Sequence, residues 1–254
     1  MSDKPHELIS VIMPAYNEGS CIYENIYETV RVLSDAGYRY EVIVVNDGST
    51  DNTLEEMERA VNEMGCLKIV NCRVNGGKGR AVKTGFRKAV GDLVVFLDAD
   101  LDLHPGQIQN LINILKEKRV DVVTGSKRHP QSQLNYPLFR TFLSNIYAFI
   151  IWILFRLPLR DTQTGIKLFK YEVLKKVFPK ILCKKYAFDL EILVNAHHLG
   201  YKIAEVPIVL HFRRPMNWGR ISLVDMSALG VDTLAIFYRM HITHYYDRLP
   251  ADQP

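Results

Sequence analysis

The runs Val42-Ile43-Val44-Val45 and Leu93-Val94-Val95-Phe96-Leu97 contain no polar side chain. Successive residues of a strand point to opposite faces, so a strand without a polar position is covered on both sides. Such runs alternate here with stretches whose apolar residues recur at helical spacing. The spacing predicts strands at 8–13, 41–46, 67–72, 93–97 and 120–124, and helices at 22–33, 54–64, 79–90 and 107–118. Pro105 stands where a helix N-terminus favours proline. The chain is therefore expected to be α/β, with a mainly parallel central sheet flanked by helices. With 254 residues, 48% of them hydrophobic, it can bury one large core, and a single domain over 1–254 is expected.

Charge and cysteine content exclude several classes. The net charge of +4 is mild and the basic residues are interspersed with acidic ones, so nucleic acid is not an expected partner. Cys21, Cys66, Cys72 and Cys183 show no CxxC spacing, which argues against a zinc site or a disulfide framework. The polar N-terminus MSDKPHELIS lacks the apolar core of a signal peptide, so a cytoplasmic location is expected. The longest apolar run, 146–155, is well short of the ~20 residues that cross a bilayer. The segment 221–242 is interrupted by Asp225, Asp232 and Arg239. No transmembrane helix is expected; both segments suit either a membrane surface or one-sided burial.

Ligands of parallel sheets bind at the carboxyl ends of the strands. Four polar loops stand there: Pro14-Ala15-Tyr16-Asn17-Glu18, Asn46-Asp47-Gly48-Ser49-Thr50-Asp51, Asn75-Gly76-Gly77-Lys78-Gly79 and Asp98-Ala99-Asp100-Leu101-Asp102. Each alone could simply turn the chain or cap a helix. The closely spaced carboxylates of the last loop repel one another and imply a divalent cation. An EF-hand would need Gly and Glu where Leu103 and Gln109 stand. No Walker A loop and no GxGxxG after the first strand is present, so ATPase and dinucleotide chemistry recede.

The runs PAYNE, VVNDGSTD, NGGKGRAVKTG and FLDADLDLHP together resemble the inverting family 2 glycosyltransferases of the GT-A fold, in the branch that makes polyprenyl-phosphate sugars. The resemblance continues through DTQTGIKLF (161–169), YAFDLE (186–191) and IAEVP (203–207). Within the branch it is nearest the dolichyl-phosphate glucosyltransferases, with the mannosyltransferases as near relatives. It implies a Rossmann-like nucleotide-sugar half at 8–125 and an acceptor half with amphipathic helices at 126–254.

The resemblance also implies roles. Pro14, Ala15, Tyr16 and Glu18 would cradle the nucleoside, with the Val45 backbone and the Asp47 carboxylate bordering the base. Gly77, Lys78, Asp98, Ala99 and Asp100 would lie along the nucleotide, and Asp98, Asp100 and Asp102 would hold Mg²⁺ or Mn²⁺. Asp100, Asp102, Asp161 and Gln163 are the candidate catalytic set, Asp161 and Gln163 positioning the sugar. Lys127, Arg128, Arg140, Ser144, Arg213, Arg214 and Arg220 are the candidates for the acceptor phosphate, the last three in a segment that could close over the donor. The donor is expected to be UDP-glucose, with GDP-mannose the alternative, and the acceptor a dolichyl or other polyprenyl phosphate. A non-catalytic nucleotide-sugar-binding module is the rival of another class. A phosphate monoester is already largely ionised at neutral pH, its second pKa being ~6, so no strong general base is required. The enzyme is expected at the cytoplasmic face of a membrane, held peripherally, with room for a membrane-anchoring subunit.

Overall fold

A computed structural model describes residues 7–133, 138–185, 187–211 and 223–248, with the backbone alone at 138–144 and 223–226. Among these residues seven strands form one sheet: β1 (Leu8–Ala15), β2 (Arg39–Asp47), β3 (Leu67–Cys72), β4 (Leu93–Leu97), β5 (Val122–Ser126), β6 (Ile166–Lys170) and β7 (Ile203–Pro207). Helices α1 (Ile22–Asp35), α2 (Thr53–Met64), α3 (Lys78–Phe86) and α4 (Ile108–Glu117) connect the first five. Beyond them come α5 (Leu138–Phe155), α6 (Tyr171–Val177), α7 (Phe188–His198), α8 (Leu223–Phe237), a π-helical turn (Tyr238–Ile242) and α9 (Tyr245–Arg248). None of the described helices is long and apolar enough to cross a membrane.

The apolar strands divide their side chains between two cores, as their lack of a polar face requires. Ile43, Val45, Val94, Phe96 and Phe169 face α3, α6 and α7. Val42, Val44, Val95, Ile166 and Leu168 face α1 and α4. The strand order is β3-β2-β1-β4-β6-β5-β7. β1 pairs in parallel with β2 and β4, β2 with β3, and β5 with β7. β6 is antiparallel to both its neighbours, β4 and β5. An antiparallel strand begins where its parallel neighbours end. Residues 161–165, which precede β6, therefore join the loops that follow β1, β2, β4 and β5 at one edge of the sheet. The same pairing interleaves the two halves expected to divide at 125/126, because β6 lies between β4 and β5.

Candidate active site

The loops after β1 and β2 are locked together. Asn17, in a left-handed conformation (φ 54°), donates its N–H to Ser49 Oγ at 3.0 Å, and its Oδ1 accepts from Thr50 N at 2.9 Å. Glu18 N donates to Thr53 Oγ1 and Gly19 N to Asp51 Oδ2, at 2.8 and 3.1 Å. Tyr16 projects into solvent from this frame, and Pro14 pairs with Val45 in the sheet register. Ala15 and the Val45 side chain are buried in the cores, so only their backbone can face a ligand.

Asp47 is turned into the protein. Its buried carboxylate accepts from Gly76 N at 3.0 Å, Gly77 N at 2.7 Å and the Arg80 guanidinium at 3.2 Å. The carboxylate expected to border a base thus organises the glycine loop, because a buried charge takes the nearest backbone N–H groups. The loop is also clamped from behind. Gly79 N donates to Lys184 O at 2.8 Å, and Gly77 (φ 87°) lies so close that a Cβ would stand 2.6 Å from that same oxygen.

The acidic turn after β4 is pinned at each step. Asp98 N donates to Gly165 O, Asn25 Nδ2 to Ala99 O, Asp102 N to Asp100 Oδ1, and His211 N to Asp102 O, all within 2.8–3.2 Å. Leu101 takes a left-handed conformation (φ 49°) with its side chain in the core, which sets Asp100 and Asp102 on either side of a strained residue. Burial, reinforced by Asp98, Asp102 and Glu18, pushes the Asp100 carboxyl up to about 6. Such crowding is relieved by a cation, and the donor set is all oxygen, as Mg²⁺ or Mn²⁺ prefers.

The three-carboxylate metal site expected from the sequence is not preformed. Asp98 is paired with Lys78 Nζ at 2.7 Å, and among the described residues no three His, Cys, Asp or Glu side chains converge on one ion. Mg²⁺ in nucleotide enzymes usually takes one or two carboxylates and completes its shell with phosphates and water. Asp100 and Asp102 fit that arrangement, with Asp98 balanced by Lys78. Protonation of Asp100 competes with the metal, and a carboxyl raised from 3.8 to about 6 favours folding only while protonated. The stability it contributes is lost as pH rises from about 4 through about 6. We expect Mn²⁺ with UDP to raise Tm above pH 6 and to have little effect at pH 5, measured by scanning calorimetry.

In the loop before β6, Asp161 is saturated. Lys127 N, Gln163 N and Thr164 Oγ1 each donate to its carboxylate at 2.9 Å. Burial works to raise its pKa, but Lys127 and these donors outweigh burial and hold it below the usual range. A carboxylate so occupied organises the loop instead of abstracting a proton. Gln163 Nε2 is a buried donor without a partner among the described residues. Lys127 Nζ reaches Gln163 O at 3.4 Å, and Arg128 follows it at the end of β5. The side chains of Arg140 and Ser144, and all of Arg213, Arg214 and Arg220, lie outside the described residues.

Three residues at this edge lie in the runs 161–169 and 186–191, but the sequence alone assigns them no role. Gly165 lies against Asp98, where a Cβ would come 2.7 Å from Asp98 Cγ. Lys167, on β6, and Asp189, on α7, form a buried ion pair at 2.6 Å. Their signals were a Lys flanked by Ile166 and Leu168 in a short apolar strand and an Asp in the first turn of a largely buried helix.

Residues 10–178 match the family model described as glycosyl transferase family 2. The chain belongs to that family. It is a glycosyltransferase with a GT-A-type fold. It is 31% identical over 251 residues to a dolichyl-phosphate beta-glucosyltransferase of Trichomonas vaginalis, covering 94% of this chain and 76% of that protein. To the dolichyl-phosphate beta-glucosyltransferase of Mus musculus it is 31% identical over 233 residues, covering 86% and 69%. Among solved structures, glucosyl-3-phosphoglycerate synthase from Mycobacterium tuberculosis, in complex with Mn²⁺, UDP and glucosyl-3-phosphoglycerate, superposes with a TM-score of 0.67. That similarity covers 92% of this chain and 79% of the other at 23% identity.

Proposed function

We propose that this glycosyltransferase moves glucose from UDP-glucose to the phosphate of a dolichyl or other polyprenyl phosphate at the cytoplasmic face of a membrane, with inversion at the anomeric carbon. The observation that carries the lipid acceptor is the exposed apolar surface of α5 and α8. Ile146, Phe149, Ile150, Trp152 and Ile153 on α5 are exposed, as are Val231 and Leu234 on α8 and Tyr238 and Ile242 in the turn that follows. Phe149 and Trp152 stack on each other at 6.2 Å, and the Tyr147 and Thr233 hydroxyls join the two helices at 3.2 Å. Exposed aromatic and aliphatic side chains at this density suit the headgroup boundary of a bilayer. The names of the relatives, dolichyl-phosphate beta-glucosyltransferases, agree with this acceptor and sugar.

In this reading Asp100 and Asp102 would hold Mg²⁺ or Mn²⁺, which would supply positive charge to stabilise the departing diphosphate. Tyr16 and the backbone of the β1 loop bind the nucleoside. Gln163 offers its free N–H to the sugar, while Asp161 holds Gln163 and Lys127 in place. Lys127 and Arg128, with Arg140, Ser144, Arg213, Arg214 and Arg220, bind the acceptor phosphate, which attacks without needing a base.

The test is release of nucleoside diphosphate from UDP-glucose or GDP-mannose, with vesicles carrying polyprenyl phosphate or with soluble 3-phosphoglycerate. Release from UDP-glucose only with the lipid phosphate is the expected result. Preference for GDP-mannose replaces the sugar and nucleotide, and preference for 3-phosphoglycerate removes the lipid. A Phe149→Asp, Trp152→Asp variant should bind vesicles at least ~10-fold more weakly, since each buried apolar side chain contributes ~1.5–3 kcal/mol. Unchanged vesicle binding would reject this surface as the membrane seat.

A further inference from the structure

Lys167 is the second residue of an interior strand of the sheet and its side chain is 1% exposed, while its partner Asp189 is 7% exposed. Ile166 and Leu168 on either side of it face the opposite core, so the pleat directs Lys167 toward α7. Replacing a buried ion pair by apolar residues of the same volume is often neutral or stabilising, so packing gives no reason for one here. The geometry supplies another reason. One Asp189 oxygen accepts from Lys167 Nζ at 2.6 Å, and Lys167 also donates to Thr164 O. The other Asp189 oxygen is left facing Lys78 Nζ at 3.4 Å.

Lys78 then reaches outward to Asp98 at 2.7 Å. Exposure grows along the row, from 1% at Lys167 through 30% at Lys78 to 40% at Asp98. The row therefore runs from the core of the sheet to the acidic turn. Its backbone supports come from the same elements: Lys184 O holds the Gly79 amide, and the Phe188 ring fills the space a Gly79 side chain would need.

We propose that Asp189, oriented by Lys167, is the positioning residue that holds the Lys78 ammonium at the acidic turn, where it meets the donor diphosphate. This rests on the nucleotide-sugar reading above. Asp189 touches no substrate; it acts through Lys78. Burial opposes a charge on Lys78, and Asp189 and Asp98 more than offset that burial, so Lys78 stays a cation.

The test is a double-mutant cycle of Lys78→Met and Asp189→Asn on the full chain, reading the Kd of UDP with Mn²⁺ by calorimetry alongside Tm. Each single variant should bind UDP about 10-fold more weakly, and the double variant no more weakly than Lys78→Met alone, because the two side chains act as one unit. Independent losses that multiply to about 100-fold, or an unchanged Kd in Asp189→Asn, would overturn the proposal. If Asp189→Asn does not fold, the same cycle is run in a Lys167→Met background, which removes the unpaired buried ammonium, with the same criterion. A wild-type chain that binds no UDP fails the donor reading itself; binding with an uncoupled cycle fails this inference alone.

Discussion

Asp100→Ala is expected to lower turnover about 10³-fold, in line with the loss of one preorganised group that stabilises a transition state. The variant should at the same time melt no lower than wild type at neutral pH. Asp100 is a carboxylate that burial and three acidic neighbours push up to about 6, so its charged form is unfavourable in the fold. Removing it relieves repulsion while taking away the donor that makes the turn attractive to a cation. Activity and stability should therefore part company, which is the signature of a site kept for function at the expense of stability. Turnover within tenfold of wild type would remove Asp100 from the reaction, and a large fall in Tm would make it structural.

Gly165→Ala is expected to cost about 10²-fold in turnover, a loss that a displacement of about 1 Å at a reacting centre can cause. Gly165 needs no left-handed conformation, so alanine is tolerated by the backbone. The added methyl group would fall on the Asp98 carboxylate, which must rotate away and leave Lys78. Only a side chain has to move, so Tm should shift by less than about 4 °C, the equivalent of about 1 kcal/mol for a domain of this size. Wild-type turnover in the Gly165→Ala variant would show that the Asp98–Lys78 pair does not matter to the reaction.

Much of the segment 8–125 is legible in the sequence because local signals and long-range structure agree there. Runs without a polar residue become strands buried on both faces, and the expected segments 41–46 and 67–72 lie within or coincide with β2 and β3. The turn residues Gly48 (φ 72°) and Gly77 (φ 87°) stand where the loops require left-handed backbone. The segment 126–254 is less legible. β6 (IKLFK) and β7 (IAEVP) interrupt five-residue strands with charged residues, so neither shows the unbroken apolar run that marks β4.

The order of residues along the chain determined which loops follow which strands, and so placed the glycine loop and the acidic turn at one edge of a sheet. It also determined that neither apolar segment can cross a bilayer. The tertiary structure alone decided the direction of β6, which brings residues 161–165 to that same edge. It brought Gly76, Gly77 and Arg80 to the Asp47 carboxylate and Lys78 to that of Asp98. It also joined Lys167 and Asp189, which are 22 positions apart. The physical reason is the range of each effect. Hydrophobic periodicity and turn chemistry act within a few residues, whereas the partner of a buried charge is whichever group the packed fold brings within hydrogen-bonding distance.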